Sequence, residues 1–275
     1  MGRDLTLPQI GNSDDGSTAR RRAFRLHKAG DSMLPCHVHR NGNDPLEEKH
    51  WLLQPFQRSD PPARKPSETG TFLTHIFTGA LLCMSEPDAM LMFSGGHTLA
   101  SHRSEAGGYN CIFHALVQSR LVPSPAFPPV EEEHATDSYQ NLLFSILRFR
   151  DLVGRYPDDV VVVTHAFKER RFLELHAPAI KWPPGRIRVQ GVNPPYRLEE
   201  LQQTQRMEHE RAYEPFVRDP YGVRSPLADK RKSRNWNPAL AGSLAVDASV
   251  MQLLEWNGGE TGRETFPGRL PWEEA

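Results

Sequence analysis

The stretch that decides the fold begins with Met90-Leu91-Met92-Phe93, followed directly by Ser94-Gly95-Gly96. It continues through Ser104-Glu105-Ala106 to the acidic run Glu131-Glu132-Glu133 and ends at Asn141. A short apolar run is typical of a strand that is buried on both faces of a parallel sheet. Glycines at the exit of such a strand, next to helix starts, let a phosphate or carboxylate approach the backbone closely. The stretch therefore predicts a ligand site at one edge of a parallel sheet.

Outward from this stretch, helical and strand patterns alternate. Apolar residues at helical spacing predict helices over 71–85, 107–117, 137–153 and 165–175. Val160–Val163 is the clearest strand because β-branched residues favour extension, Ile187–Gly191 is another, and Met33–Val38 is a weak one. The alternation predicts an α/β fold, a doubly wound (Rossmann-like) parallel sheet with helices on both faces.

Composition divides the chain into three segments. Residues 1–32 are polar and predict a disordered or irregular N-terminal tail, and 33–195 predict the α/β domain. Residues 196–275 predict a helical and irregular extension that packs on the core, with helices over 198–213 and 251–256 and a loosely ordered end from Gly258. This charged extension is also a candidate surface for a protein partner.

The totals limit the class of protein. The chain has 275 residues and a formal net charge of −1, which gives no electrostatic reason to expect nucleic acid or an anionic membrane as a partner. The longest apolar run, within Ile76–Met84, is too short for a membrane span, and no secretory signal is recognised. Three cysteines without a pattern favour a reducing compartment. We therefore expect an intracellular, cytoplasmic protein.

The candidate ligand-binding residues come from the predicted strand exits and helix starts. Carboxyl ends of parallel strands meet at one edge, so residues after each strand are expected to share a rim. Glu105 and Asn141 would hydrogen-bond a ligand, Thr136 or Asp137 would cap the helix that follows, and Glu105 or Glu133 are candidate general bases. The cofactor-binding candidates are Ser94, Gly95, Gly96, Glu105, Thr136, Asn141, Thr164, Lys168 and Arg171.

Several common site types lack their sequence patterns. Neither Gly-x-Gly-x-x-Gly nor the phosphate-loop pattern occurs, so the sequence lacks the motifs that usually indicate a nicotinamide or an ATP site. The acidic run beside His134 lacks zinc-type spacing, and no metal site is predicted. Ser94 follows a strand like a nucleophile elbow, but Met92 stands where that motif has its first glycine.

Taken together, these motifs resemble the DUF218 family of SanA-, ElyC- and YdcF-like proteins, and its fungal branch in particular. The matching pieces are Ser94-Gly95-Gly96, Ser104-Glu105-Ala106, the spacing from Glu133 to Asn141, Val161–Thr164 with Arg171, and Asp219–Gly222. The resemblance covers roughly residues 33–256. It implies a doubly wound α/β fold for 33–195 and makes S-adenosylmethionine a candidate cofactor, but it implies no reaction. The chain departs from the family at its start, where Arg20–Phe24 is basic instead of aliphatic.

The leading hypothesis is a protein that binds a nucleotide-like or phosphorylated small molecule at the carboxyl edge of the sheet. One alternative is a non-catalytic partner or scaffold protein with a degenerate site. Another is a hydrolase that uses Glu105 or Glu133 as its base.

Overall fold

A computed structural model describes residues 23–28, 47–86, 88–97, 103–237, 240, 243 and 247–273. Its centre is a five-stranded, all-parallel sheet with strand order β3-β2-β1-β4-β5. The strands are β1 (Ala23–Lys28), β2 (Met90–Ser94), β3 (Val130–Glu132), β4 (Asp159–Thr164) and β5 (Ile187–Gly191). Strands and helices alternate along the chain, so the α/β class is confirmed.

The helices near the sheet agree with the sequence pattern to within about two residues at each end. They are α1 (Thr69–Ser85), α2 (Glu105–Gln118) and α3 (Ser138–Val153). Gly154 ends α3 with φ 82°, a conformation that glycine adopts without steric cost.

The helical region after β4 is less regular than predicted. A 3-10 turn (Ala166–Lys168) leads into a π-helical segment (Arg171–His176), which continues as α4 (Ala177–Ala179). The helix predicted over 165–175 extends further in the structure, and Pro178 lies inside α4, next to the point where the helical geometry changes from π to α.

Two hydrophobic clusters cover opposite faces of the sheet, because successive strand residues point to opposite sides. Leu91 and Phe93 of β2 pack with α1 and α2, and Met92 packs with α3. The cluster on the α3 face is larger, since it also takes in residues from the π-helical segment and from the C-terminal part of the chain.

Within the described residues, the C-terminal part contains four further α-helices. They are α5 (Leu198–Glu208), which continues through a π-helical segment (His209–Tyr213) into α6 (Glu214–Arg218), then α7 (Leu227–Ser233) and α8 (Ala248–Glu255). Phe216, Leu227, Val250 and Leu253 from these helices are buried in the α3-face cluster.

The end of the chain is better packed than expected. The region from Gly258 was expected to be loosely ordered, yet Phe266, Leu270 and Trp272 are buried in the same cluster. The Trp272 indole also donates to the Ile180 carbonyl oxygen (2.8 Å). A tryptophan that buries its whole ring contributes a large apolar area, which explains how a segment with little regular structure is held on the core.

Two strands lie where none was predicted. Residues 1–32 were expected to be irregular, but β1 lies within them and pairs with both β2 and β4 at the centre of the sheet. Its sequence mixes apolar with basic residues, whereas a central parallel strand usually reads as an apolar run. The short β3 overlaps the acidic run Glu131-Glu132-Glu133, for which no strand was predicted. Met33–Val38, the candidate first strand, lies outside the described residues.

Candidate functional site

The Gly95-Gly96 pair lies where β2 leaves the sheet, and its backbone is bonded to protein. Its amides donate to the carbonyl oxygens of Glu132 (3.0 Å) and Ala135 (2.7 Å). Its carbonyls accept from the first two amides of α2, those of Glu105 and Ala106, at 3.1 Å each. A Cβ added at Gly96 would lie 2.9 Å from the Ala135 carbonyl oxygen. The pair therefore joins β2 to the start of α2 and to the loop that precedes α3.

A buried carboxyl group, Glu132, lies beside this pair and was not among the predicted site residues. Its side chain accepts hydrogen bonds from the Ser94 hydroxyl and from the amides of His134 (2.7 Å) and Ala135 (3.0 Å). The Ser94 hydroxyl also lies 3.3 Å from the Asn141 side-chain oxygen. Burial raises the pKa of the Glu132 carboxyl to about 7, although these hydrogen bonds act in the opposite direction.

The two predicted catalytic carboxylates lie on the same side of the molecule. Glu105 is the buried first residue of α2, a position where the helix dipole favours a carboxylate. Glu133 is about two-fifths exposed, accepts a hydrogen bond from the Ser104 hydroxyl (2.5 Å) and lies 3.9 Å from His97. Ser104 is the N-cap of α2 and accepts from the Gly107 amide (2.9 Å).

These contacts bring six of the predicted residues into one connected group, which we call the β2 rim. Its members are Ser94, Gly95, Gly96, Glu105, Glu133 and Asn141. The backbone donors of the glycine pair are used within the fold, so the rim holds three segments of the chain together.

A cavity of about 420 Å³ opens at the exit of the neighbouring strand, β4. Its walls come from residues 56–68, from 165–171 after β4, from the α5–α6 helical region and from α7, and the start of α3 closes one end. Among the predicted site residues, Lys168 and Arg171 line it. Thr164 is buried at the end of β4, where its carbonyl accepts from the Val192 amide (2.8 Å).

A buried polar pair, His165 and Glu68, also lines the cavity. Their side chains are 97 % buried, with 3.3 Å between Nε2 and Oε2, and Tyr196 donates its hydroxyl to the other Glu68 oxygen (3.0 Å). The His165 ring stacks on Phe167 with 4.9 Å between the ring centroids. The His75 ring also contacts the His165 ring, in an edge-to-face arrangement. Burial together with the charge of His165 holds the pKa of His75 well below its usual range.

Positive charge predominates in the cavity. Six cationic side chains line it (Lys65, Lys168, Arg171, Arg211, Lys230 and Arg234) against four carboxylates (Glu68, Asp137, Glu200 and Glu208). Two of those carboxylates are paired within the cavity, since Lys65 lies 3.2 Å from Glu200 and Arg171 lies 3.1 Å from Glu208. A third, Asp137, is paired with Arg231, which does not line the cavity. The arrangement favours an anionic ligand.

Thr136 and Asp137, the two residues that precede α3, make different hydrogen bonds. Asp137 caps the helix through the Gln140 amide (2.9 Å) and accepts from Arg231 (2.6 Å). Burial alone would raise the pKa of the Asp137 carboxyl, but the charge and hydrogen bond of Arg231, the Gln140 amide and the charge of His176 together outweigh burial, and the pKa lies below its usual value. Thr136 instead donates its hydroxyl and its amide to the Gln140 side-chain oxygen (2.6 and 2.8 Å).

Sequence reasoning missed much of the cavity for identifiable reasons. Glu68 follows a stretch with Pro61, Pro62 and Pro66 in which no helix or strand was predicted, and Lys230 and Arg234 belong to a charged stretch of the extension. His165 directly follows the clearest strand, and this position placed it at the predicted rim, although it was not named among the binding candidates.

The described residues contain neither a metal-binding cluster nor a membrane-spanning helix. Across the described ranges, no three histidine, cysteine, aspartate or glutamate side chains converge as a metal-binding group would. No helix within the same ranges combines the length and the apolarity that crossing a bilayer requires.

The chain is similar to YOR238W, an uncharacterised protein of Saccharomyces cerevisiae. The two are 26 % identical over an alignment of 255 residues, and the match covers 74 % of this chain and 82 % of the yeast protein. No family model matches the chain, and no solved structure matches it. The comparison extends over most of both chains but states no activity.

Proposed function

We propose that the protein binds a nucleotide-like or phosphorylated small molecule in the β4-exit cavity. The observation that carries the proposal is the surplus of cationic side chains around a cavity of about 420 Å³. This volume lies in the range of small-molecule sites and suits a mononucleotide or a sugar phosphate better than a dinucleotide.

The position of the cavity supports the same reading. It begins directly after β4, so it lies at the carboxyl edge of the sheet, where open parallel sheets bind their ligands. The strand order 3-2-1-4-5 agrees with a doubly wound, Rossmann-like fold, and we propose that architecture for the chain. The DUF218-like motifs around Ser94 and Glu105 lie on the neighbouring β2 rim, Arg171 lines the cavity itself, and that resemblance is part of the same proposal.

Within the cavity, charge and aromatic surface are arranged for a ligand with two chemically different ends. Lys168, Arg171 and Lys230 offer charge-assisted hydrogen bonds to phosphate oxygens. Phe56 and Phe167 offer flat apolar surface on which a base or another planar group would stack. S-adenosylmethionine carries an adenine but no phosphate, so it is the alternative ligand with which the phosphorylated ligands are compared.

A thermal-shift series tests the proposal. The ligands are inorganic phosphate, a nucleoside monophosphate, a sugar phosphate and S-adenosylmethionine, each over a range of concentrations. We expect the phosphorylated ligands to raise the unfolding temperature, because a ligand that binds only the folded state stabilises it. If none of the four shifts the transition of folded protein, the proposal is wrong.

Two variants connect binding to the cavity. Lys168→Gln and Lys230→Gln should each weaken binding about tenfold or more, because a hydrogen bond to a charged group contributes about 1.5–3 kcal/mol. Arg188→Gln is the matched control, since Arg188 is an exposed cation on β5 that does not line the cavity. Equal affinity in all three variants would place the ligand elsewhere.

A further inference from the structure

The cavity wall contains a serine that is hydrogen-bonded to a histidine. Ser138 is the first residue of α3 and lines the cavity, and His176 is the last residue of the π-helical segment. The distance between Ser138 Oγ and His176 Nε2 is 2.8 Å. A hydroxyl within hydrogen-bond reach of an imidazole is the geometry of a serine nucleophile and its general base.

The surroundings of His176 hold its ring in a fixed orientation. The rings of Tyr139, Phe172 and Phe216 pack against the His176 ring in edge-to-face contacts, with centroid distances of 6.1, 5.4 and 4.6 Å. The carboxylate of Asp137 lies close enough for the His176 charge to influence its pKa, although burial and Arg231 have larger effects. The nearby anion would stabilise an imidazolium formed during a reaction.

The Ser138 hydroxyl also lies where a phosphate would be held. Ser138 lines the same cavity as Arg171, Lys230 and Arg234, and it is the first residue of a 16-residue helix. A helix N-terminus stabilises negative charge that develops on a nearby oxygen. The serine and the cationic side chains thus line one cavity, and the histidine is hydrogen-bonded to that serine.

From this geometry we infer that the cavity is a phosphomonoesterase site in which Ser138 is the nucleophile and His176 the general base. The inference rests on the proposed function, because it requires a phosphorylated ligand in the cavity. It names the reaction at that site and places it on residues other than Glu105 and Glu133, which do not line the cavity.

The reaction balances with water as the one co-reactant. Ser138 Oγ bonds to phosphorus while its proton moves to His176 Nε2, and the ester P–O bond breaks on the opposite side of phosphorus, where the departing alcohol oxygen takes a proton from solvent. Water then attacks the phosphoserine from that side, and the His176 imidazolium returns its proton to the departing Ser138 oxygen. The protons of the attacking water remain on the phosphate, which releases one of them to solvent and so replaces the proton taken by the alcohol. The products are the alcohol and inorganic phosphate.

The test uses the full chain and p-nitrophenyl phosphate. We expect release of p-nitrophenol, and acid-quenched protein should carry one phosphoryl group, which peptide fragmentation locates on Ser138. Ser138→Ala should abolish both signals, whereas Ser145→Ala should keep both, since Ser145 is buried in the same helix but does not line the cavity. His176→Gln retains a hydrogen-bonding side chain but should lower the rate at least a hundredfold.

The outcomes separate the two proposals. If phosphate stabilises the wild-type protein but neither p-nitrophenol nor a phosphoryl group on Ser138 is found, the inference is wrong while the binding function stands. A phosphoryl group on another residue also overturns it. If Ser138→Ala does not fold, the location of the phosphoryl group in the wild-type protein still decides the question.

Discussion

At the scale of single residues, Glu132 shows how a carboxyl group can serve the fold. It is 1 % exposed. Its oxygens accept hydrogen bonds from the hydroxyl of Ser94, the last residue of β2, and from two backbone amides of the loop before α3. Those bonds satisfy the oxygens, but burial still makes the ionised form costly. Glu132 is therefore a structural link whose protonation state affects stability.

The raised pKa gives a prediction for the pH dependence of unfolding. Between the ordinary carboxyl value of 4.5 and about 7, the folded protein keeps a proton that the unfolded chain has lost. The contribution of Glu132 therefore becomes less favourable as pH rises through this window, by up to roughly 3 kcal/mol. Urea unfolding of the wild-type protein and of Glu132→Gln from pH 4.5 to 7 measures this change in the free energy of unfolding.

In Glu132→Gln the neutral amide replaces the carboxyl group, so the variant should gain stability relative to wild type as pH rises. Glu131→Gln is the control, because Glu131 is only partly buried and hydrogen-bonds to Asn110 (2.6 Å). A difference between Glu132→Gln and wild type that does not change with pH would contradict this account.

A second prediction concerns Gly96. A methyl group there would lie 2.9 Å from the Ala135 carbonyl oxygen and 3.0 Å from that of Glu133, and both contacts are with backbone. We expect Gly96→Ala to lower the free energy of unfolding by about 1–3 kcal/mol, as overpacking usually does. Chemical denaturation measures the change, and a neutral result would show that the loop before α3 can move aside.

At the scale of elements, α7 is fixed to the start of α3 by two arginines. Arg231 donates to the Asp137 carboxylate, and Arg234 donates to the Thr136 carbonyl oxygen (2.7 Å). The Asp137 and Arg231 side chains are 95 % and 90 % buried, so the pair is shielded from water. Because α7 also lines the cavity, this contact positions one of its walls.

Removing one partner of this pair should be costly. We expect Arg231→Met to destabilise the fold by about 3–5 kcal/mol, because it leaves a buried carboxylate without its counter-charge. Adding Asp137→Asn should restore part of the loss, since asparagine still caps a helix. Arg218→Met is the control, because the exposed pair of Arg218 and Glu214 contributes well under 1 kcal/mol. Additive effects in the double variant would argue against a coupled pair.

The elements also show what local sequence can predict. α3 was placed within a residue because an apolar stripe, a cap at Asp137 and Gly154 at the end all agree. β3 was missed because three residues carry no periodicity, and two of them are glutamates. Lys168 and Arg171 were the cavity residues that the sequence predicted, because they follow a clear strand, whereas α5 and α7 reach the cavity only through tertiary packing.

At the scale of the whole molecule, β1 joins two halves of the sheet. It pairs with β2 on one side and β4 on the other, so without it β3-β2 and β4-β5 would be separate two-stranded ladders. The sequence placed the start of the ordered domain at residue 33, which excludes this strand. The polar composition of residues 1–32 led to the wrong prediction for β1, because the pairing of a central strand depends on its backbone hydrogen bonds as well as on its side chains.

Two truncations test the role of β1. A protein lacking residues 1–32 should fail to unfold cooperatively, because the sheet would lose its centre. A protein lacking residues 1–22 keeps all of β1 and should retain a cooperative transition. Circular dichroism during thermal unfolding compares the two, and equal stability of both would show that β1 is dispensable.

The pairing of β1 with β4 also orders the events of synthesis on the ribosome. Residues 23–27 leave the ribosome early, but their partners at 159–163 follow only after more than a hundred further residues. Joining such distant segments carries a high entropic cost of loop closure and makes folding slow. Until then β1 and β2 expose unpaired edges, which are the surfaces that chaperones shield in a growing chain.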